Sequence, residues 1–271
     1  DHVGATALMD AARLSGPPEP WHLGFLLGPR INAGGRIGRA DLGARLLLED
    51  DATEAARIAA ELDRLNTERR QIEIATVAQA GPGKSGLYRA RMPYPLIERV
   101  MGWAEKHHYL VILDIQTGRS TMATELVPLM KYLARPYVHL ALDPEFSIGT
   151  KRVPGQVIGR IDAADVNAVS AVLANLVDSL RLPPKMLIVH RFTTPMLSNH
   201  QKIRLDPRVQ IVIDMDGFGP PRLKYGSYKA YVHDRPVQFA GFKVFYKNDK
   251  PMLTPQQVLE MNPVPLFIMY Q

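Results

Sequence analysis

The chain has 271 residues, enough for one large α/β domain or for a small domain beside a medium one. It contains no cysteine, which excludes disulfides and thiolate zinc sites; any metal would need His, Asp or Glu ligands. The formal charge of +6 is compatible with a polyanionic partner, yet no Lys/Arg run exceeds two residues, so charge alone does not select nucleic acid. No uninterrupted apolar run reaches 18 residues, and "DHVGATALMD" lacks the basic and apolar regions of a secretion signal. A cytoplasmic protein without membrane contact is the expectation.

In chain order, residues 1–72 are expected to form a helical segment. In "DATEAARIAAELDRLNTERRQIEI" the apolar residues Ala55, Ile58, Ala59, Leu62, Leu65 and Ile72 recur at spacings of three, four and seven. That spacing is one face of an α-helix. Asp50 or Asp51 can cap its start. Glu54–Arg57 and Glu61–Arg64 are i,i+3 ion pairs expected on its solvated face. A Gly/Pro-rich connector, "AGPGKSGLYRARMPYP", follows. Its "GPGKSG" imitates the end of a phosphate-binding P-loop. The spacing fails, because Ala78 stands where the first glycine belongs and no apolar helix follows. A tight turn is expected there.

From residue 73 to 271 short apolar runs alternate with amphipathic stretches. Strands are expected at 109–115, 138–142, 156–161, 186–192, 209–214, 242–246 and 266–271, with helices at 93–108 and 162–180. Near-continuous apolar strands alternating with helices indicate a parallel sheet of βαβ units. The expected fold class is therefore α/β: a (β/α) barrel-like domain behind a helical segment. Seven strands leave the barrel one short, with "IEIATVAQ" (72–79) as a candidate eighth or the barrel incomplete.

Two resemblances overlie these patterns. The core "GPRINAGGR" (28–36), followed by "A…LL…D…A…A…A..LD.LN.ER..IE", resembles the RecJ single-strand-specific DNA exonucleases of the DHH phosphoesterase superfamily, over about Val3 to Glu73. The resemblance implies phosphate-facing roles for Arg30, Asn32 and Arg36, with Arg39 beside them, and single-stranded DNA as a partner. Glycines that admit a phosphate and arginines that fork onto it agree with this. The Asp-rich and Asp-His-His metal motifs of that family are missing; "DH" is followed by Val3. A two-metal nuclease centre is not expected from this segment. From about residue 75, "GLYRARMP", "HLALDPEF", "VIDMDGFGPP" and the final "MYQ" resemble an uncharacterised bacterial (β/α)-barrel family, which implies fold and not activity. The chain thus reads as a natural fusion or a chimera joined near Glu73 to Val77.

In a (β/α) barrel, chemistry sits at the C-terminal ends of the strands. Those ends carry Asp114 and Gln116, Asp143 and Glu145, Asp162, His190, Asp214 and Asp216, Lys243 and Tyr246. Asp162 and Asp114 have a simpler reading as caps of the helix or turn that follows. The selected catalytic set is Asp143, Glu145, His190, Asp214, Asp216 and Lys243. Paired carboxylates suit acid–base hydrolysis of a polar small molecule or a carbohydrate, and with His190 they could hold a divalent metal. The expected function is a hydrolase-type barrel; the alternative is a RecJ-like single-stranded nucleic-acid module. His139 is expected to be structural.

Overall fold

The computed structural model describes residues 2–14, 16–18, 22, 27–28, 30–31, 41–70, 76–79 and 81–271. The chain forms two compact units, Asp1–Glu73 with Tyr94–Tyr109, and Ile74–Pro93 with Leu110–Gln271.

The first unit contains helices α1 (Val3–Ala11), α2 (Leu42–Leu47), α3 (Ala52–Arg70) and α4 (Tyr94–His107). Its core joins Leu8, Leu27, Leu42 and Leu46 to Ala55, Ile58, Ala59 and Leu62. Those four α3 residues are four of the six in the periodic apolar set read from the sequence; Ile72 and the side chain of Leu65 lie outside what the structure describes. Asp51 caps α3, its Oδ1 accepting the Glu54 amide at 2.8 Å. The Glu54–Arg57 and Glu61–Arg64 pairs form at 2.7 Å on the outer face. Gly4 and Leu46 show how closely α1 and α2 approach: a Cβ at Gly4 would lie 1.7 Å from the Leu46 carbonyl oxygen.

The second unit is built on an eight-stranded sheet. Its strands are β1 (Thr76–Ala78), β2 (Arg89–Arg91), β3 (Val111–Ile115), β4 (Val138–Leu142), β6 (Lys185–His190), β8 (Val209–Met215), β9 (Phe239–Val244) and β10 (Phe267–Tyr270). The spatial order is β10-β9-β8-β6-β4-β3-β1-β2. Six strands, β3 through β10, run parallel and follow one another in sequence without reversal, the progression of a barrel wall and not of a doubly wound sheet. The sheet curls but does not close; the fold is α/β with a half-barrel. The 72–79 stretch does supply a strand, β1, beside β3, while β2 turns back antiparallel to it. The loop between β1 and β2 holds "GPGKSG", with Gly83 and Gly86 at φ +61 and +69 and a Gly86 N–H to Gly83 carbonyl bond of 3.3 Å. It is a hairpin turn, not a strand-to-helix phosphate loop.

One expected strand leaves the sheet. Residues 156–161 contribute only β5 (Ile161–Asp162), which pairs with β7 (Leu197–Ser198) in a separate ribbon. The reason lies at Gly159, whose amide donates to the Glu145 carbonyl and where a Cβ would lie 2.5 Å from the Pro144 carbonyl. This segment buttresses the Asp143–Glu145 turn instead of extending the sheet.

The helix α7 (Ala163–Leu180) is long and apolar enough by composition to cross a membrane. Its buried residues Ala163, Val166, Val169, Ser170, Leu173, Ala174 and Val177 fall at three- and four-residue spacing, the stripe of a core-facing helix. Asp162 caps it: its Oδ1 accepts the Ala164 amide at 3.0 Å, and Asp165 returns a bond to the Asp162 amide at 2.8 Å. Helices α5 (Met122–Leu126), α6 (Met130–Leu133), α8 (Pro221–Tyr228) and α9 (Pro255–Leu259) complete the unit.

Candidate active site

Strand side chains alternate between faces, so one face of the sheet is read every second residue. On one face Ile112, Ala141, Met186, Ile188, Val212, Phe239 and Phe267 form an apolar cluster. Continuing the same alternation toward the strand ends gives Asp114 on β3, Asp143 after β4, His190 on β6, Asp214 and Asp216 on and after β8, and Gly241 and Lys243 on β9. Register aligns them: Asp114 pairs with Ala141, His190 with Asp214, and Asp214 with Gly241. The apolar face therefore turns polar at one end, and the selected residues meet there because the strands are parallel and in phase.

His190 is the hub. It is 1% exposed. Its Nδ1 lies 3.0 Å from Asp214 Oδ2 and 3.6 Å from Asp216 Oδ2, and its Nε2 lies 3.6 Å from Asp114 Oδ2. Only the first is a hydrogen bond by distance. Burial disfavours the imidazolium, but the three carboxylates outweigh it and raise the His190 pKa well above the ordinary value. Asp143 accepts from Gln116 Nε2 at 2.8 Å and from the Glu145 amide at 3.1 Å. Burial, with the Asp114 charge added, pushes the Asp143 pKa up. Burial and then the Asp143 charge raise Glu145 to about 7, with Lys243 pulling the other way. Asp216 is also raised, chiefly by burial, against the pull of His190. Lys243 makes no direct ion pair to these acids among the described residues; it acts on them through its field, while its Nζ lies 5.0 Å from the Phe245 ring centroid.

Burial raises the Glu145 and Asp216 carboxyls while the surrounding carboxylates raise His190, so the site gathers groups whose proton affinities lie above their ordinary values. Four of its buried atoms lack a hydrogen-bond partner: Asp114 Oδ1, His190 Nε2, Asp214 Oδ1 and Asp216 Oδ1. Buried polar atoms without partners are rare, and four in one cluster mark a place where a polar ligand would complete the network.

All six selected residues belong to this one end of the sheet. Asp114, expected in the strand 109–115 with a turn cap as its simpler role, lies within β3 and faces His190. The signal available was a carboxylate inside the apolar run "VILDI". Gly241 also went unread. A Cβ there would lie 2.7 Å from Asp214 Oδ1, so only glycine leaves room for that carboxylate. Asp214 and Asp216 both approach the same imidazole nitrogen, at 3.0 and 3.6 Å. His139 is structural: its Nδ1 accepts the Met186 amide at 3.0 Å, and burial with the neighbouring Lys185 lowers its pKa to about 4.

Among the described residues no group of three or more His, Asp or Glu side chains is arranged to hold a metal.

In the first unit, Arg30 is 9% exposed and its Nε donates to Asp63 Oδ1 at 2.8 Å, so this guanidinium is tied to α3. Asn32, Arg36 and Arg39 lie outside the described residues.

No known protein-family profile matches the chain. Part of it resembles RecJ. The single-stranded-DNA-specific exonuclease RecJ of Dickeya dadantii is 43% identical over 74 residues, 27% of this chain and 13% of that protein. RecJ of Escherichia coli is 53% identical over 51 residues, 19% of this chain and 9% of that protein. This chain therefore spans only about a tenth of the length of these relatives. A crystal structure of RecJ from Thermus thermophilus with Mn²⁺ superposes at a TM-score of 0.26 and 26% identity, covering 52% of this chain and 18% of that one.

Proposed function

We propose that the second unit carries a hydrolase-type acid–base site for a polar small molecule and that the RecJ-like first unit contacts single-stranded nucleic acid. The relatives favour the nucleic-acid half, and none of them points to a carbohydrate. The four orphaned polar atoms around His190 carry the hydrolase half. In that reading one carboxyl, Asp216 or Glu145, donates a proton to the leaving group while another carboxyl of the cluster, as base, takes a proton from the water that attacks. Asp214 holds the imidazole in place, and Lys243 offsets negative charge as it develops. A panel of nitrophenyl esters, phosphate esters and glycosides tests it. Turnover by the wild type, reduced at least about 100-fold in Asp216→Asn and His190→Gln, is expected. No turnover on any substrate, or turnover indifferent to both variants, would remove the reading.

The nucleic-acid reading rests on "GPRINAGGR" and its similarity to RecJ. Arg30 serves α3 through Asp63, so its loss would perturb folding as well as binding. The cleaner variant is Arg36→Ala/Arg39→Ala. Oligonucleotide titrations at several salt concentrations should show weaker binding and a salt slope smaller by roughly 2 for the double variant. An unchanged slope would rule out phosphate contact by these arginines.

A further inference from the structure

The end of β6 places two consecutive residues in opposite surroundings. His190 turns into the acid cluster, whereas Arg191 turns away from it. Arg191 is fully buried at 0% exposure. Its Nε donates to the Thr193 carbonyl at 3.4 Å, and its Nη2 to those of Thr194 at 3.3 Å and Leu197 at 3.4 Å. These contacts are long, and all are to neutral carbonyls. Among the described residues no carboxylate pairs with it. Its Nη1 is buried without any partner, and so is the Thr193 hydroxyl beside it.

The nearest charged neighbours make matters worse. Burial first, then the positive charge of Arg235, lowers Arg191 to about 10. Burial, then Arg191 and Arg235 together, depress His200. The Tyr231 ring centroid lies 5.9 Å from the Arg191 guanidinium carbon, a weak compensation. A buried cation repelled by its neighbours is costly unless an anion joins it. Nothing in the acid cluster supplies one, because the carboxylates there are held by His190.

We propose that Arg191, Arg235, His200 and Thr193 form a binding site for a phosphate-type oxyanion, separate from the acid cluster. Arg235 offers a planar fork that matches a tetrahedral oxyanion, Arg191 adds its unpartnered Nη1, His200 an imidazole N–H, and Thr193 its unpartnered hydroxyl. Two fixed charges and a titratable one suit a dianion better than a single carboxylate. Arg235 and His200 are half-buried and so can be reached from solvent, while Arg191 is fully buried. Binding here needs no turnover, so the site stands or falls independently of the hydrolase reading.

The test is a titration of the full chain with sodium phosphate at constant ionic strength, the balance made up with sodium chloride. Calorimetry reads binding and imidazole NMR reads His200. Saturable binding at one site is expected, with the His200 pKa rising as the anion offsets the two guanidiniums. Arg235→Ala and Arg191→Lys should each weaken binding at least tenfold. Should Arg191→Lys fail to fold, Arg235→Ala carries the comparison, since its side chain is partly exposed. Acetate in a parallel titration should bind more weakly. A response no different from that to chloride, equal affinity for acetate, or undiminished binding by Arg235→Ala would each overturn the assignment.

Discussion

Glu145→Gln isolates the electrostatic character of the candidate site. Glu145 follows the Asp143 turn and is partly buried, with a carboxyl raised from 4.5 to about 7. Its folded form binds a proton more tightly than its unfolded form between those two values. The stability it lends is fully present below pH 4.5 and is lost as pH rises through 7. At about 1.4 kcal/mol per unit the gap corresponds to about 3 kcal/mol, reduced to about 2 kcal/mol by the solvent that reaches a partly exposed group. Glutamine has nearly the same shape and cannot ionise. The variant should match the wild type at pH 4 and exceed its stability by about 2 kcal/mol at pH 8. Urea denaturation at half-unit pH steps, with hydrogen exchange of the β4 and β6 amides reporting this unit, measures both. Parallel pH profiles for the two proteins would refute the assignment of a raised Glu145.

Glu125→Gln should cost about 3 kcal/mol, because this carboxylate is 0% exposed and bonded to Arg89 at 2.9 Å, Arg91 at 2.8 Å and Ser120 at 2.5 Å, and the change removes the buried charge that both guanidiniums share; equilibrium denaturation checks it. Gly241→Ala should push Asp214 off His190 and abolish whatever turnover the substrate panel reveals while far-UV circular dichroism stays native. Asp162→Ala should cost about 1 kcal/mol through loss of the α7 cap, read as a lower denaturant midpoint.

The periodic sequence determined the elements with little help from tertiary structure. Ala55, Ile58, Ala59 and Leu62 marked the buried face of α3, and Asp162 announced the start of α7. These are local matters, in which a helical stripe or a cap depends on residues within one turn. The apolar runs likewise marked six parallel strands, and the polar residues at their ends marked the rim. Sequence alone could not decide how those ends meet. That Asp114 turns toward His190, that Gly241 clears room for Asp214, and that 156–161 braces Glu145 instead of joining the sheet all depend on register between strands far apart in the chain. The same holds for charge. "VHRF" shows a histidine and an arginine side by side, but only burial and packing give one of them a surplus of acids and leave the other with none. Neighbouring charges together with desolvation shift those groups, and both are properties of the folded surroundings rather than of the residue.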